Sequence, residues 1–298
     1  MSTQMMTEPL RADEVETHHV QATKGDRAVS TVSHILLIIW AAIVVLPLLW
    51  TLLTSFKTTS EIFSSPFGLP KTPQWVNFKN AWITAGIGDY FLNTILVVFS
   101  ALILVMVFGA MSAYVLARFK FHGNRLIYVL FLAGNTFPIF LAVVPLFFTL
   151  KNMHLLNTMQ GLIITYVAFA LPFTVFFLYA FFKTLPYEIY EAAQIDGAGE
   201  WTTFFRVMLP MAKPGLASVA IFNFLGLWNQ YLIPVALNTN TDNYVLSQGL
   251  AAFAARTNYE VDYGALFASV VVTILPVLIV YIIFQRQLQG SVSQGTMK

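Results

Sequence analysis

Six stretches of this chain run for more than twenty residues without a single Lys, Arg, Asp or Glu: Ile35–Phe56, Tyr90–Ala117, Leu126–Leu150, Asn152–Phe182, Pro214–Thr241 and Tyr263–Gln285. Each is bounded by charges on both sides. A helix rises about 1.5 Å per residue, so about 20 apolar residues cross a hydrocarbon core of about 30 Å. The chain meets that requirement six times. Charged residues make up only 10% of the sequence and hydrophobic ones 57%, against roughly a quarter charged in a soluble domain. A water-soluble fold is excluded, and the expected class is all-α: a polytopic membrane protein with six transmembrane helices.

Lys and Arg collect in cytoplasmic loops. With both ends on one side, that side holds Arg11, Lys24, Arg27, Arg118, Lys120, Arg125, Lys183, Arg206, Lys213, Arg286 and Lys298, eleven in all, and the other side has Lys57, Lys71, Lys79, Lys151 and Arg256, which is five. Both termini are therefore expected in the cytoplasm. Residues 1–33 mix both signs of charge and read as a disordered tail, and residues 288–298 as a second tail. The first apolar run is too long for a cleaved signal and lacks a small-residue cleavage site, so it reads as a retained span. The absence of Cys removes disulfides and thiolate metal sites, and a net charge of +2 gives no footprint for nucleic acid.

The loop Lys57–Asp89 carries Pro66, Pro70, Pro73, Gly86 and Gly88 and is structured by turns. No loop is large enough for a catalytic domain. Only Lys183–Lys213 combines length with helical signals on the cytoplasmic side. Thr184 as cap, Pro186 in the first turn, Glu188 and Glu191 near the positive dipole end and Gly197 as a left-handed stop predict a short helix. Ile189, Ala192 and Ala193 fall on one face, two of them small enough for another surface to approach. A second short helix is expected over Glu200–Met208, with Trp201, Phe204, Phe205 and Met208 packed on the span ends before Pro210 and Pro214 break it. On the residues alone, the loop is equally an amphipathic hairpin in the membrane interface.

Glu191-Ala192-Ala193, Asp196-Gly197-Ala198, Leu209-Pro210 and Pro214 stand together in EAAQIDGAGEWTTFFRVMLPMAKP. This segment resembles the EAA loop of the membrane subunits of binding-protein-dependent ABC importers. Thr54-Ser55-Phe56-Lys57, Tyr114-Val-Leu-Ala-Arg118-Phe119, Leu156-Asn157-Thr158 and Trp228-Asn229 are similar to the carbohydrate branch, and to its maltose-type second permease subunit above all. The resemblance implies a type I importer permease fold over residues 34–287, with residues 184–213 as the coupling loop. It further implies an inner-membrane location in a bacterium, a second homologous permease, two ATPase subunits, an extracytoplasmic sugar-binding protein and a lipid environment. By the same resemblance Glu191 and Gly197 are the central docking positions for the ATPase, supported by Ala192, Ala193, Asp196 and Ala198. A side chain at 197 would be penalised by backbone angle and by close contact. No cofactor is expected in this chain, and ATP and Mg belong to the partner. No G-x-x-x-x-G-K-[ST] loop exists, since Lys57 and Lys183 are followed by Thr but lack the glycines.

A polar path must come from uncharged groups, because the six runs hold no ionisable acid or base of the Asp, Glu, Lys or Arg kind. That weighs against an ion-coupled secondary sugar carrier, the rival reading, which keeps such a group near the midplane. A scaffold whose loop merely recruits a partner is the other rival. Asn135, Asn223, Trp228, Asn229 and Gln230 are the candidates for the path, since amides bond hydroxyls and aromatic faces stack on sugar rings. The same residue types also glue helices together. Gln230 stands where maltose-type relatives often carry Glu. The expected cargo is a carbohydrate, an oligosaccharide or an amino sugar.

Overall fold

A computed structural model of the chain describes residues 24–255 and 262–294. All regular structure among them is helical. The chain divides after Leu49 into two units. The first is the leading part of α1 (Lys24–Thr54), whose side chains from Val29 to Leu49 are exposed with Ala42 alone half-buried. A helix this apolar and this exposed is tolerable only in an apolar solvent. Helical structure already begins at Lys24, so residues 24–33 do not form part of a disordered tail; residues 1–23 lie outside the described residues.

In the second unit, α2 (Thr59–Ser64) and α3 (Val76–Lys79), continued by a π-helical turn at Asn80–Thr84, order the first long loop. Then come α4 (Ile87–Arg118), α5 (Asn124–Thr136), α6 (Ile139–Asn152), α7 (Met159–Thr184), α8 (Tyr187–Ile195) and α9 (Glu200–Thr202). A π-helical turn at Thr203–Met208 leads into α10 (Leu209–Met211), α11 (Lys213–Trp228), α12 (Leu232–Leu237), α13 (Leu246–Ala254) and α14 (Tyr263–Gln294). The expected tail at 288–298 is thus helical as far as Gln294.

Among the described residues, four helices are long and apolar enough to span: Val29–Thr54 within α1, α4, α7 and Tyr263–Gln285 within α14. The pair α5 and α6 is bent by 103°, and the segment Glu200–Met211 meets α11 at 76°, giving six spans when each bent pair counts as one. The first bend has a covalent cause. Pro138 has no N–H and forces Phe137 out of the helical region, to φ −74° and ψ 123°. Pro145, Pro172 and Pro276 lie inside α6, α7 and α14 without ending them.

The most extensive helix contact is between α4 and α7. Along α4, Val97, Ala101, Val105, Gly109, Ala113 and Ala117 recur every four residues and all are buried. Small residues at this spacing let two backbones approach, which matters in lipid because no hydrophobic drive holds helices together there. At Gly109 a Cβ would lie 2.4 Å from Thr174 Cγ2 of α7. The Thr174 hydroxyl donates to the Ala170 carbonyl at 2.9 Å and accepts from Asn223 Nδ2 of α11 at 2.7 Å. Three helices meet at that point.

The end of the bundle remote from the α8 loop is laced by amides. Asn157 adopts φ +62°, and its Oδ1 accepts from the Thr239 N–H at 2.7 Å and the Thr239 hydroxyl at 3.0 Å. Its carbonyl accepts from Asn243 Nδ2 at 2.8 Å. Asn93 Nδ2 donates to the Asp242 and Tyr244 carbonyls, so the segment after α12 is tied to both α4 and the start of α7. Lys57, 2% exposed, donates from Nζ to the Ser65 and Pro66 carbonyls at 3.0 Å each, and Asn77 Nδ2 donates to the Ser55 and Lys57 carbonyls. A buried ammonium held in this way fixes the first loop onto the end of α1.

Two substitutions test this packing. Gly109→Leu forces α4 from α7 and should cost about 1–3 kcal/mol, read as a lower unfolding temperature of the detergent-solubilised protein. Asn157→Ala loses two side-chain hydrogen bonds and leaves a non-Gly residue in the left-handed region at about 1–2 kcal/mol, whereas Asn157→Gly loses only the bonds. The expected order of thermal stability is wild type, then Gly, then Ala.

Candidate coupling site

The segment between α7 and α11 forms a compact two-layered projection. Thr184 does not cap α8 as expected; it ends α7 and donates to the Phe181 carbonyl at 2.7 Å, and Pro186 occupies the capping position without a side-chain bond. The stop is as the sequence indicates. Gly197 adopts φ +79°, its N–H donates to the Gln194 carbonyl at 3.0 Å, and the Ala198 N–H reaches back to the Ala193 carbonyl at 3.0 Å. These two bonds make a Schellman motif, which satisfies the last carbonyls of α8. A Cβ on Gly197 would meet nothing within 4 Å. Within this chain the penalty at 197 is therefore the backbone angle alone, and the close contact also expected has no source here.

Two faces of α8 have different roles. Glu188, Glu191, Ala192 and Ile195 fall at i, i+3, i+4 and i+7 and all are exposed, as are Asp196 and Gly197. Ala193 is 8% exposed and Ile189 half-buried, because this side packs on the π-helical turn at Thr203–Met208. The face grouped in the sequence as Ile189, Ala192 and Ala193 is thus divided: only Ala192 looks outward. Ile195 is 86% exposed at the end of an otherwise polar face. Sequence reasoning passed over it; its signal is an isoleucine one turn beyond Glu191, just before the glycine stop.

Polar bonds fasten the inner face. The Tyr190 hydroxyl donates to Glu200 Oε1 at 2.8 Å, and Gln194 Nε2 donates to the Thr203 hydroxyl at 3.2 Å. Burial, then the hydrogen bond to Glu200 and that carboxylate's charge, push the Tyr190 phenol up to about 12, so it stays a donor at physiological pH. Arg118, at the end of α4, donates from Nη2 to the Leu185 carbonyl at 2.8 Å, and its guanidinium carbon lies 5.9 Å from the centroid of the Tyr187 ring. The hinge between α7 and α8 is therefore held by α4.

Beneath α8, Tyr114, Phe182, Phe204 and Met208 form one buried cluster, with Tyr114 4.9 Å from Phe204 and 5.7 Å from Phe182 by ring centroids. Of the four bulky residues expected to pack there, Phe204 and Met208 do so. Trp201 and Phe205 are 65% and 51% exposed and stack on each other at 5.9 Å and 14°. The π-helical turn alters the side-chain spacing that a regular helix would give.

The candidates for a polar path are dispersed into different environments. Asn223 is buried on Thr174. Trp228 is buried too, donating from Nε1 to the Thr273 carbonyl at 3.1 Å and packing on Phe91 and Phe224. Asn229 is exposed and bonds its own helix through the Leu225 carbonyl at 2.9 Å. Gln230 is half-buried, its carbonyl accepting from the Ser247 hydroxyl at 2.7 Å. Asn135 is exposed near the end of α5. Asn223 and Trp228 act as helix-packing groups in this conformation.

Comparison with known proteins places this architecture. Residues 105–294 match the family model described as binding-protein-dependent transport system inner membrane component. The chain is 64% identical over 277 residues, 93% of its length and 92% of the relative's, to the diacetylchitobiose uptake system permease protein NgcG of Streptomyces coelicolor. It is 32% identical to the multiple sugar-binding transport system permease protein MsmG of Streptococcus mutans, covering 89% of this chain and 96% of that one. It is 31% identical to the trehalose transport system permease protein SugB of Mycobacterium tuberculosis, covering 85% and 92%. Among solved structures, a bacterial ABC transporter involved in import of the acidic polysaccharide alginate superposes with a TM-score of 0.77 at 21% identity, over 89% of this chain and 98% of that chain, a likeness of fold. From the family model and the 64% identical relative it follows that the chain belongs to the family of binding-protein-dependent transport system inner membrane components, the multi-pass permeases of ABC importers.

Proposed function

We propose that this chain is a permease subunit through which a bacterium imports an oligosaccharide of the acetylated amino-sugar class, such as diacetylchitobiose, at the expense of ATP hydrolysed elsewhere. The cargo rests on the 64% identity with a permease of diacetylchitobiose uptake over nearly the whole of both chains. The working arrangement is one further homologous permease, two ATPase subunits that hold ATP and Mg, and an extracytoplasmic sugar-binding protein. Both termini and α8 face the cytoplasm, in keeping with the excess of Lys and Arg at that end.

The observation that carries the mechanism is the outward face of α8 joined to a fastened inner face. Glu191, Ala192, Asp196, Gly197 and Ala198 enter a cleft of the ATPase, with Ile195 as the apolar tip. Ala193 supports them from within. Because Arg118 binds the hinge and Phe204 and Met208 lie under α8, force applied to α8 reaches the ends of α4, α7 and α11 together. ATP-driven closure inside and the loaded binding protein outside then bias one two-state equilibrium of the spans. The sugar passes along a route that includes Asn135, Asn229 and Gln230, with Asn223 and Trp228 joining it when the helices reorient.

Gly197→Asp should abolish diacetylchitobiose uptake in cells lacking the native gene while the protein still reaches the membrane, and normal uptake by that variant would refute the docking role. Ile195→Glu should reduce co-purification of the ATPase with the permease at least tenfold, since it places a charge at an apolar contact. Competition of labelled diacetylchitobiose uptake by unlabelled sugars checks the cargo. Uptake that persists without ATP but follows an ion gradient would contradict the importer mechanism itself.

A further inference from the structure

A cavity of about 620 Å³ lies between the end of α4, the start of α5 and the last turns of α7. Its walls include Arg118, Lys120, His122, Arg125, Lys183 and Tyr179, and no Asp or Glu lines it. Four permanent cations facing one space without an acid form a site for a group bearing several anionic oxygens. Asn124 donates from Nδ2 to the Leu116 and Phe119 carbonyls at 3.1 and 2.7 Å, fixing the turn that carries Lys120 and His122. Gly123 opens α5 at φ +88° and offers no side-chain acceptor to the first N–H groups of that 13-residue helix. No residue of α8 lines this cavity.

Location selects the source of the anion. The cavity sits at the ends of three candidate spanning segments, those of α4, α5 and α7. Leu126, Ile127 and Leu130 on α5, following Arg125, are all exposed. Tyr128 packs on Tyr179 with ring centroids 4.2 Å apart, and Lys183 Nζ lies 5.6 Å from the centre of the Tyr179 ring. Aromatic rings with polar tips belong at headgroup depth. A basic pocket with an apolar flank thus matches a molecule that has a phosphate head and acyl tails.

We propose that this cavity binds the phosphate-bearing headgroup of an anionic phospholipid in the leaflet at the α8 end. The test is native mass spectrometry of the full-length protein in mild detergent, titrated with phosphatidylglycerol and with phosphatidylcholine. The wild type should retain phosphatidylglycerol in preference, and Lys120→Gln/Arg125→Gln, both exposed residues, should lower that preference roughly tenfold or more. Arg206→Gln/Lys213→Gln, which removes the same charge from the same end outside the cavity, should leave it unchanged. Equal retention of the two lipids by the wild type, or the same loss in both double variants, overturns the proposal. Displacement of phosphatidylglycerol by excess inorganic phosphate, but not by chloride of equal ionic strength, would assign the cavity to a soluble anion and overturn the lipid source.

Discussion

Close approach of α4 and α7 at Gly109 is the constraint on which the bundle depends. In hydrocarbon, helices gain nothing from hiding apolar surface from one another, so their association rests on shape and on the few polar groups they share. Thr174 supplies both. Its methyl group fills the notch at Gly109, and its hydroxyl receives the Asn223 amide from α11. The hydroxyl proton is already committed to Ala170, so the oxygen faces Asn223 as an acceptor and sets the orientation of that amide.

From this junction the architecture divides toward two ends with different chemistry. One end is held by side-chain amides on backbone carbonyls, through Asn93, Asn238, Asn243 and Gln248. Such bonds are directional and keep the connecting segments in register with α4 and α7. The α8 end is held mainly by aromatic packing around Tyr114, with few directional bonds between α8 and the turn beneath it. A contact made largely of dispersion tolerates small rotations better than a lattice of amides does. The α8 end therefore has the softer connection of the two.

Much of this was legible in the sequence. The uninterrupted apolar runs located every span, because length and absence of charge are local properties. The Gly197 stop was equally local, since an αL residue with two backward hydrogen bonds needs only its own neighbours. What the sequence did not reveal depends on partners distant in the chain. Ala193 is buried because the π-helical turn at Thr203–Met208 lies under it, and nothing in the EAA segment announces that turn. Asn223, a candidate for the sugar path by residue type, donates its amide to Thr174, 49 residues away, a partner that nothing near it in the chain indicates. The same holds for Trp201 and Phe205, which stay exposed because the π-helical turn that contains Phe205 changes the facing a regular helix would give. Family resemblance supplied the role of the loop, while geometry decided which of its residues face out.

The bend at Pro138 has a consequence for how the polypeptide is assembled. α5 has 13 residues and α6 has 14, so each half is about 20 Å long and neither bridges a bilayer core of about 30 Å unaided. A pair turned by 103° also interrupts the ladder of helical hydrogen bonds, since Pro138 brings no N–H to the elbow. Lateral release of this segment from the insertion machinery is thus unfavourable by itself. It has to await the synthesis of α7, against which α5 packs, so biogenesis of the third and fourth membrane crossings is a joint event.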